Sequence, residues 1–172
     1  MRNTFKLQIV LLLAIILLLS GCSDEGRNLR DGDEQITEEM HNAISSYIVD
    51  TYSSVHSVTD KQFEVHKIYG SSESNGVTSI YMWSCYSSFN RSTGTEGQSG
   101  HSLPAFIQLK KDKGGYTVIK YEEPEDGSYY QSSLKKMFPK KYVKKAQNDA
   151  GNVGGLEEEM EEKVREWLKA AD

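Results

Sequence analysis

The chain has 172 residues, 20 Lys and Arg against 25 Asp and Glu, and a formal net charge of −5. That acidic balance disfavours a nucleic-acid binder, which needs a basic surface. The length suits one domain around one core.

The first elements concern address. Arg2 and Lys6 form a positive head, and an unbroken apolar run follows from Ile9 to Leu19. As a helix that run is roughly 16 Å long, about half the hydrocarbon thickness of a bilayer. A positive head, a short apolar core and a small-residue exit are the parts of a secretory signal peptide. The exit, Leu19-Ser20-Gly21-Cys22, resembles the lipobox of bacterial lipoproteins. The resemblance implies a diacylglyceryl group on the Cys22 sulfur, cleavage just before it, and residence at the cell membrane on its extracytoplasmic face. The alternative is an uncleaved signal anchor with an incidental cysteine. Two or more acyl chains hold a protein stably at a membrane, where one does not. Residues 1–21 are therefore expected as a lipoprotein signal peptide, 22–35 as a solvated, lipidated tether and 36–172 as a single domain. Without residues 1–21 the chain loses Arg2 and Lys6, leaving 18 cations against 25 anions, a net of −7.

Within the domain, Ile36, Met40, Ala43, Ile44, Tyr47, Ile48 and Tyr52 recur at spacings of three and four, the stripe of an amphipathic helix. Asp33 or Thr37 is its expected cap, with Glu38 and Glu39 in its first turn. Residues 62–71 and 78–90 are rich in aromatic and β-branched types and read as strands. Asn75-Gly76 is the hairpin signal between them. The polar, Gly-rich stretch 90–101 reads as a mobile loop. Residues 103–111 and 116–122 flank Asp112-Lys113-Gly114-Gly115, a second hairpin. Tyr116, Val118 and Lys120 are expected on one face of the last strand, with Thr117, Ile119 and Tyr121 on the other. A short helical turn over 132–138 precedes Pro139, which suits the first position of the next helix. A last stripe joins Leu156, Met160, Val164, Trp167 and Leu168. The expected class is α+β: an N-terminal helix, an antiparallel sheet of about four strands, and C-terminal helices, with all the helical stripes packing on one sheet face. A curved-sheet cone, nuclear-transport-factor-like or cystatin-like, fits this order as an analogy of fold alone.

Catalytic signatures are few. The chain carries no His-Glu-x-x-His, Gly-x-Ser-x-Gly, Cys-x-x-Cys or Gly-x-x-x-x-Gly-Lys. No cofactor is implied. The histidines at 41, 56, 66 and 101 lack metal-ligand spacing. With Cys22 lipidated, Cys85 is a lone thiol. It is either a small buried hydrophobe or a nucleophile that needs an activating partner, for which His66 is the candidate across a sheet. The acidic run from Glu122 to Asp126 reads as a calcium site or as a turn pinned by Tyr129 and Tyr130. The lysines Lys135, Lys136, Lys140, Lys141, Lys144 and Lys145 are uninterrupted by acids. They offer a surface for anionic lipid, a cell-wall polymer or an envelope protein, or simply a solvated face. Tyr81, Trp83, Cys85 and Phe89 share one strand parity, with Met82 and Tyr86 on the other. They line a ligand face or belong to a sheet covered on both sides.

The segments Phe63–Gly70 and Thr78–Phe89, and above all Tyr121–Lys141 (Tyr-Glu-Glu-Pro-Glu-Asp-Gly-Ser-Tyr-Tyr through Phe-Pro-Lys-Lys), resemble an extracytoplasmic domain of Gram-positive bacteria. It occurs in small lipoproteins and at the C-terminus of membrane metallopeptidases of the β-lactam-sensing antirepressor type. The resemblance covers about residues 63–167. It implies a sensing or interaction module without catalysis, since the metallopeptidase motif belongs to another part of those proteins. The function expected is a non-catalytic binding or sensing module at the cell envelope. Its rivals are an envelope enzyme using Cys85 with a histidine, and a modulator of a membrane protein acting through the lysine-rich surface.

Overall fold

The computed structural model describes residues 28–53, 59–151 and 153–170. Cys22 and the expected signal peptide lie outside them. The described chain is α+β, built on one antiparallel sheet in the simple order β1-β2-β3-β4-β5. β1 is Arg30–Asp31, β2 Lys61–Ser74, β3 Val77–Phe89, β4 Gly97–Asp112 and β5 Gly115–Glu122. The helices are α1 (Glu38–Ser53), α2 (Tyr130–Met137), α3 (Lys140–Asp149) and α4 (Leu156–Lys169).

The hairpins follow from local chemistry. Asn75 and Gly76 both adopt positive φ, 52° and 72°. This is the type I′ pattern whose twist matches the strands it joins. Ser74 then pairs with Val77, and the register continues with one bulge near Ile68. At the start of α1, the Met40 amide donates to Thr37 Oγ1 at 3.3 Å, so Thr37 is the cap.

Four expectations are corrected. The sheet has five strands, because part of the expected tether joins it: Arg30 and Asp31 pair with Ser71 and Gly70. Residues 97–101 of the expected mobile loop are strand. Their small polar side chains lie flat against β3, as in the 2.8 Å contact between Ser88 Oγ and Ser99 Oγ. A bulge in β5 opposite Gln108 and Leu109 leaves Ile119 half exposed. It thereby returns Tyr121 to the face of Tyr116 and Val118, because one extra residue reverses strand parity. Pro139 precedes α3 as its cap, with extended ψ of 144°.

The helices cover both sheet faces, not the single face expected. Met40, Ile44 and Ile48 of α1 pack on Ile80, Met82, Tyr86, Ile107 and Leu109. Leu134, Tyr142, Ala146, Met160 and Val164 of the C-terminal helices pack on Val65, Tyr69, Trp83 and Phe106. Both parities of β3 carry bulky apolar residues, and each needs a cover. A fully buried Ile or Met contributes about 1.5–3 kcal/mol over an exposed one. None of the described helices is long and apolar enough to cross a membrane.

Candidate functional site

Up to the bulge between Ile68 and Gly70, the even-numbered residues of β2 face α1. Glu64 is therefore carried into the sheet–helix interface, where its side chain is fully buried. A lone carboxylate there would cost several kcal/mol. Three donors meet it. Ser84 Oγ of β3 donates to Glu64 Oε1 at 2.8 Å, and Ser45 Oγ of α1 donates to Oε2 at 2.7 Å. His66 Nδ1 stands 2.9 Å from Oε2. Burial alone would raise the Glu64 carboxyl. The hydrogen bond and charge of His66, with the two serines, outweigh it and hold the group below the usual carboxylate range.

The array extends outward. His66 Nε2 lies 2.7 Å from His41 Nδ1, and the two rings stack at 5.0 Å with planes 16° apart. An ionised carboxylate only accepts, so His66 Nδ1 carries a proton toward Glu64. When His66 is neutral, Nε2 is its acceptor and His41 Nδ1–H donates to it. When His66 is protonated, the direction of that bond reverses. The Glu64–His66–His41 chain thus holds one shareable proton, with His41 Nε2 as its outer end. His41 and Ser45 are one helical turn apart on α1, which is why both reach the same strand.

A cleft of about 300 Å³ opens at the outer end, lined by Asp33, Glu38, His41, His66, Glu159 and Lys163. It exists because β1 covers only the Gly70–Ser71 part of β2. Lys163 reaches over the open edge from α4 to the Glu64 carbonyl at 3.5 Å. Among the described residues, no group of three or more His, Cys, Asp and Glu is arranged to hold a metal ion.

His41 sits below its ordinary value of 6.5. Burial is the larger cause and the charge of His66 the next, against weaker opposing pulls from Glu38, Asp33 and Glu159. A folded-state value below the unfolded one means that the unfolded chain binds the proton more readily. Stability from His41 is therefore full above pH 6.5 and declines as pH falls toward its folded value. Glu64 adds a second loss below the ordinary carboxylate range. Thermal melts at stepped pH are expected to fall from pH 6.5 downward, and His41→Gln is expected to flatten the upper part of that fall. Parallel profiles for the two proteins would contradict this.

Other sequence candidates are placed differently. Val65 pairs with Cys85 and His66 with Ser84, so Cys85 and His66 point to opposite sheet faces. Burial pushes the Cys85 thiol up, against a smaller pull from Ser102. It lines a cleft of about 230 Å³ with Trp83 and Ser102, whose Oγ accepts from Trp83 Nε1 at 2.8 Å. The expected ligand face of Tyr81, Trp83 and Phe89 lies on the side of the sheet covered by the C-terminal helices. Trp83 and Phe89 are buried beneath the C-terminal helices, and Tyr81 packs on Phe138 and Tyr142. In the acidic run, Glu123 accepts from the hydroxyls of both Tyr52 and Tyr121, tying β5 to α1. Tyr129 is 64% exposed and pins nothing to the sheet. The six lysines are exposed on α2 and α3. Lys141 and Lys145 lie 3.0 and 3.7 Å from Asp31 Oδ1.

The proton-sharing array was not singled out in the sequence. Its signals are Glu64 and His66 two apart in a strand, and His41 and Ser45 four apart in a helix. Nothing local says that those two faces meet. No protein-family model, curated protein or solved structure matches the chain.

Proposed function

We propose that the chain is a lipid-anchored, non-catalytic binding or sensing module on the extracytoplasmic face of the cell membrane. The observation that carries this is Leu19-Ser20-Gly21-Cys22 at the end of the Ile9–Leu19 apolar run. The resemblance of residues 63–167 to an extracytoplasmic sensing domain points the same way. The non-catalytic part is supported by Cys85, whose thiol is raised by burial and turned away from His66. The ligand position this reading favours is the cleft at the open edge of β2. There Lys163, Glu159 and the outer nitrogen of His41 present both charges to a small polar group.

Growing cells on labelled palmitate tests the anchor. Wild-type chain is expected to carry the label and to lose residues 1–21. Cys22→Ala is expected to lose the label and to keep its leader. A Cys22→Ala chain that is still fully processed and membrane-bound would contradict the reading.

A further inference from the structure

We propose that the lysine-rich face of α2 and α3 docks the domain on an anionic lipid bilayer, alongside its own lipid anchor. The membrane position rests on the lipidation of Cys22; the lysine face itself does not.

Eight residue steps separate Cys22 from Arg30. Even fully extended they span at most about 28 Å. Arg30 is fixed beside α3, since Tyr142 Oη donates to its carbonyl at 3.1 Å and Lys141 pairs with Asp31 at 3.0 Å. A lipid on Cys22 therefore brings α3 within that distance of headgroups. Lys135, Lys136, Lys140 and Lys144 are exposed, and among the described residues none is engaged in an ion pair.

Charge is segregated along the sheet. α3 lies over the Tyr69–Gly70 end of β2, with Lys145 Nζ 3.3 Å from the Tyr69 carbonyl. Lys110, Lys111 and Lys113 sit at the same end, and Lys111 shares a cleft with Arg30. The acids there are Glu39, Glu73, Asp112, Asp31 paired with Lys141, Asp149 paired with Lys67, and Glu122 paired with Lys120, with the Glu123–Asp126 turn leading into α2. The glutamates of α4 lie toward the other end, where Trp167 meets Phe63 and Lys163 reaches Glu64. From Phe63 to Gly70 is about 20 Å of strand, more than twice the screening length of roughly 8 Å at physiological salt. An acidic protein thus presents a locally basic pole where its tether arrives. Each lysine near an anionic bilayer strengthens binding about fivefold.

The test uses the chain from residue 22 onward with Cys22→Ser, so that no lipid contributes. It is pelleted at low salt with vesicles of phosphatidylcholine alone or mixed with phosphatidylglycerol. Binding is expected only to the mixed vesicles, to fall steeply with added salt, and to drop about fivefold for each of Lys136→Gln, Lys140→Gln and Lys144→Gln. Glu158→Gln and Glu162→Gln, at the other pole, are expected to leave it unchanged. Thermal melts check that every variant is folded. Equal binding to both vesicle types, or equal loss in variants of the two poles, would overturn the proposal. Retention on an anionic cell-wall polymer with none on vesicles would overturn it as well. Failure of palmitate labelling with vesicle binding intact would remove the anchor and leave the surface standing.

Discussion

Glu64→Ala is expected to destabilise the domain by about 3 kcal/mol, lowering the melting temperature by about 10 °C. The substitution removes the common acceptor of Ser45, Ser84 and His66. It leaves three polar groups facing a small void between β2 and α1. Each orphaned donor costs about 1–3 kcal/mol. Glu64→Gln keeps the shape and the serine contacts, so its loss is expected to be smaller. Chemical denaturation of the three proteins checks the order wild type, Gln, Ala. A Glu64→Ala midpoint equal to that of wild type would mean that α1 docks through its apolar stripe alone.

Gly70→Ala is expected to cost about 2 kcal/mol and to release β1. An added Cβ would stand 2.0 Å from Tyr142 Oη and 2.4 Å from the Arg30 carbonyl oxygen. Neither neighbour yields cheaply. Tyr142 is fully buried, and the Arg30 carbonyl belongs to the backbone that accepts its hydroxyl. The short pairing of Arg30–Asp31 is the weaker partner and is expected to give way. Amide hydrogen exchange would report this as loss of protection at Gly32, whose amide donates to the Tyr69 carbonyl at 3.2 Å. Unchanged protection there would contradict the packing described. The substitution also lengthens the free tether, so it separates the effect of anchor length from that of the lysines.

Periodic apolar patterning made the helices and central strands legible. The stripe of Met40, Ile44 and Ile48, the Asn75-Gly76 turn and the Leu156–Val164 stripe each depend on neighbours within a few residues, and each stands where the pattern puts it. Apart from Pro139, which stands one position before α3, the misses are non-local. Arg30–Asp31 has no strand composition of its own and is ordered by Gly70 and Tyr142, far along the chain. Residues 97–101 read as loop because their polar and glycine residues carry no apolar signal, although β3 supplies the pairing. The parity of Tyr121 depends on a bulge set by the register with β4. The burial of Glu64 has no local signal, because its three partners come from a helix, a neighbouring strand and its own strand. The lysine run was visible, but not its position beside the incoming tether, which the Lys141–Asp31 pair reveals.

The most direct measurement is the intact mass of the protein recovered from membranes of cells that make it. The account predicts a chain beginning at Cys22, with a diacylglyceryl thioether on its sulfur. A chain of full length with an unmodified Cys22 thiol would contradict it.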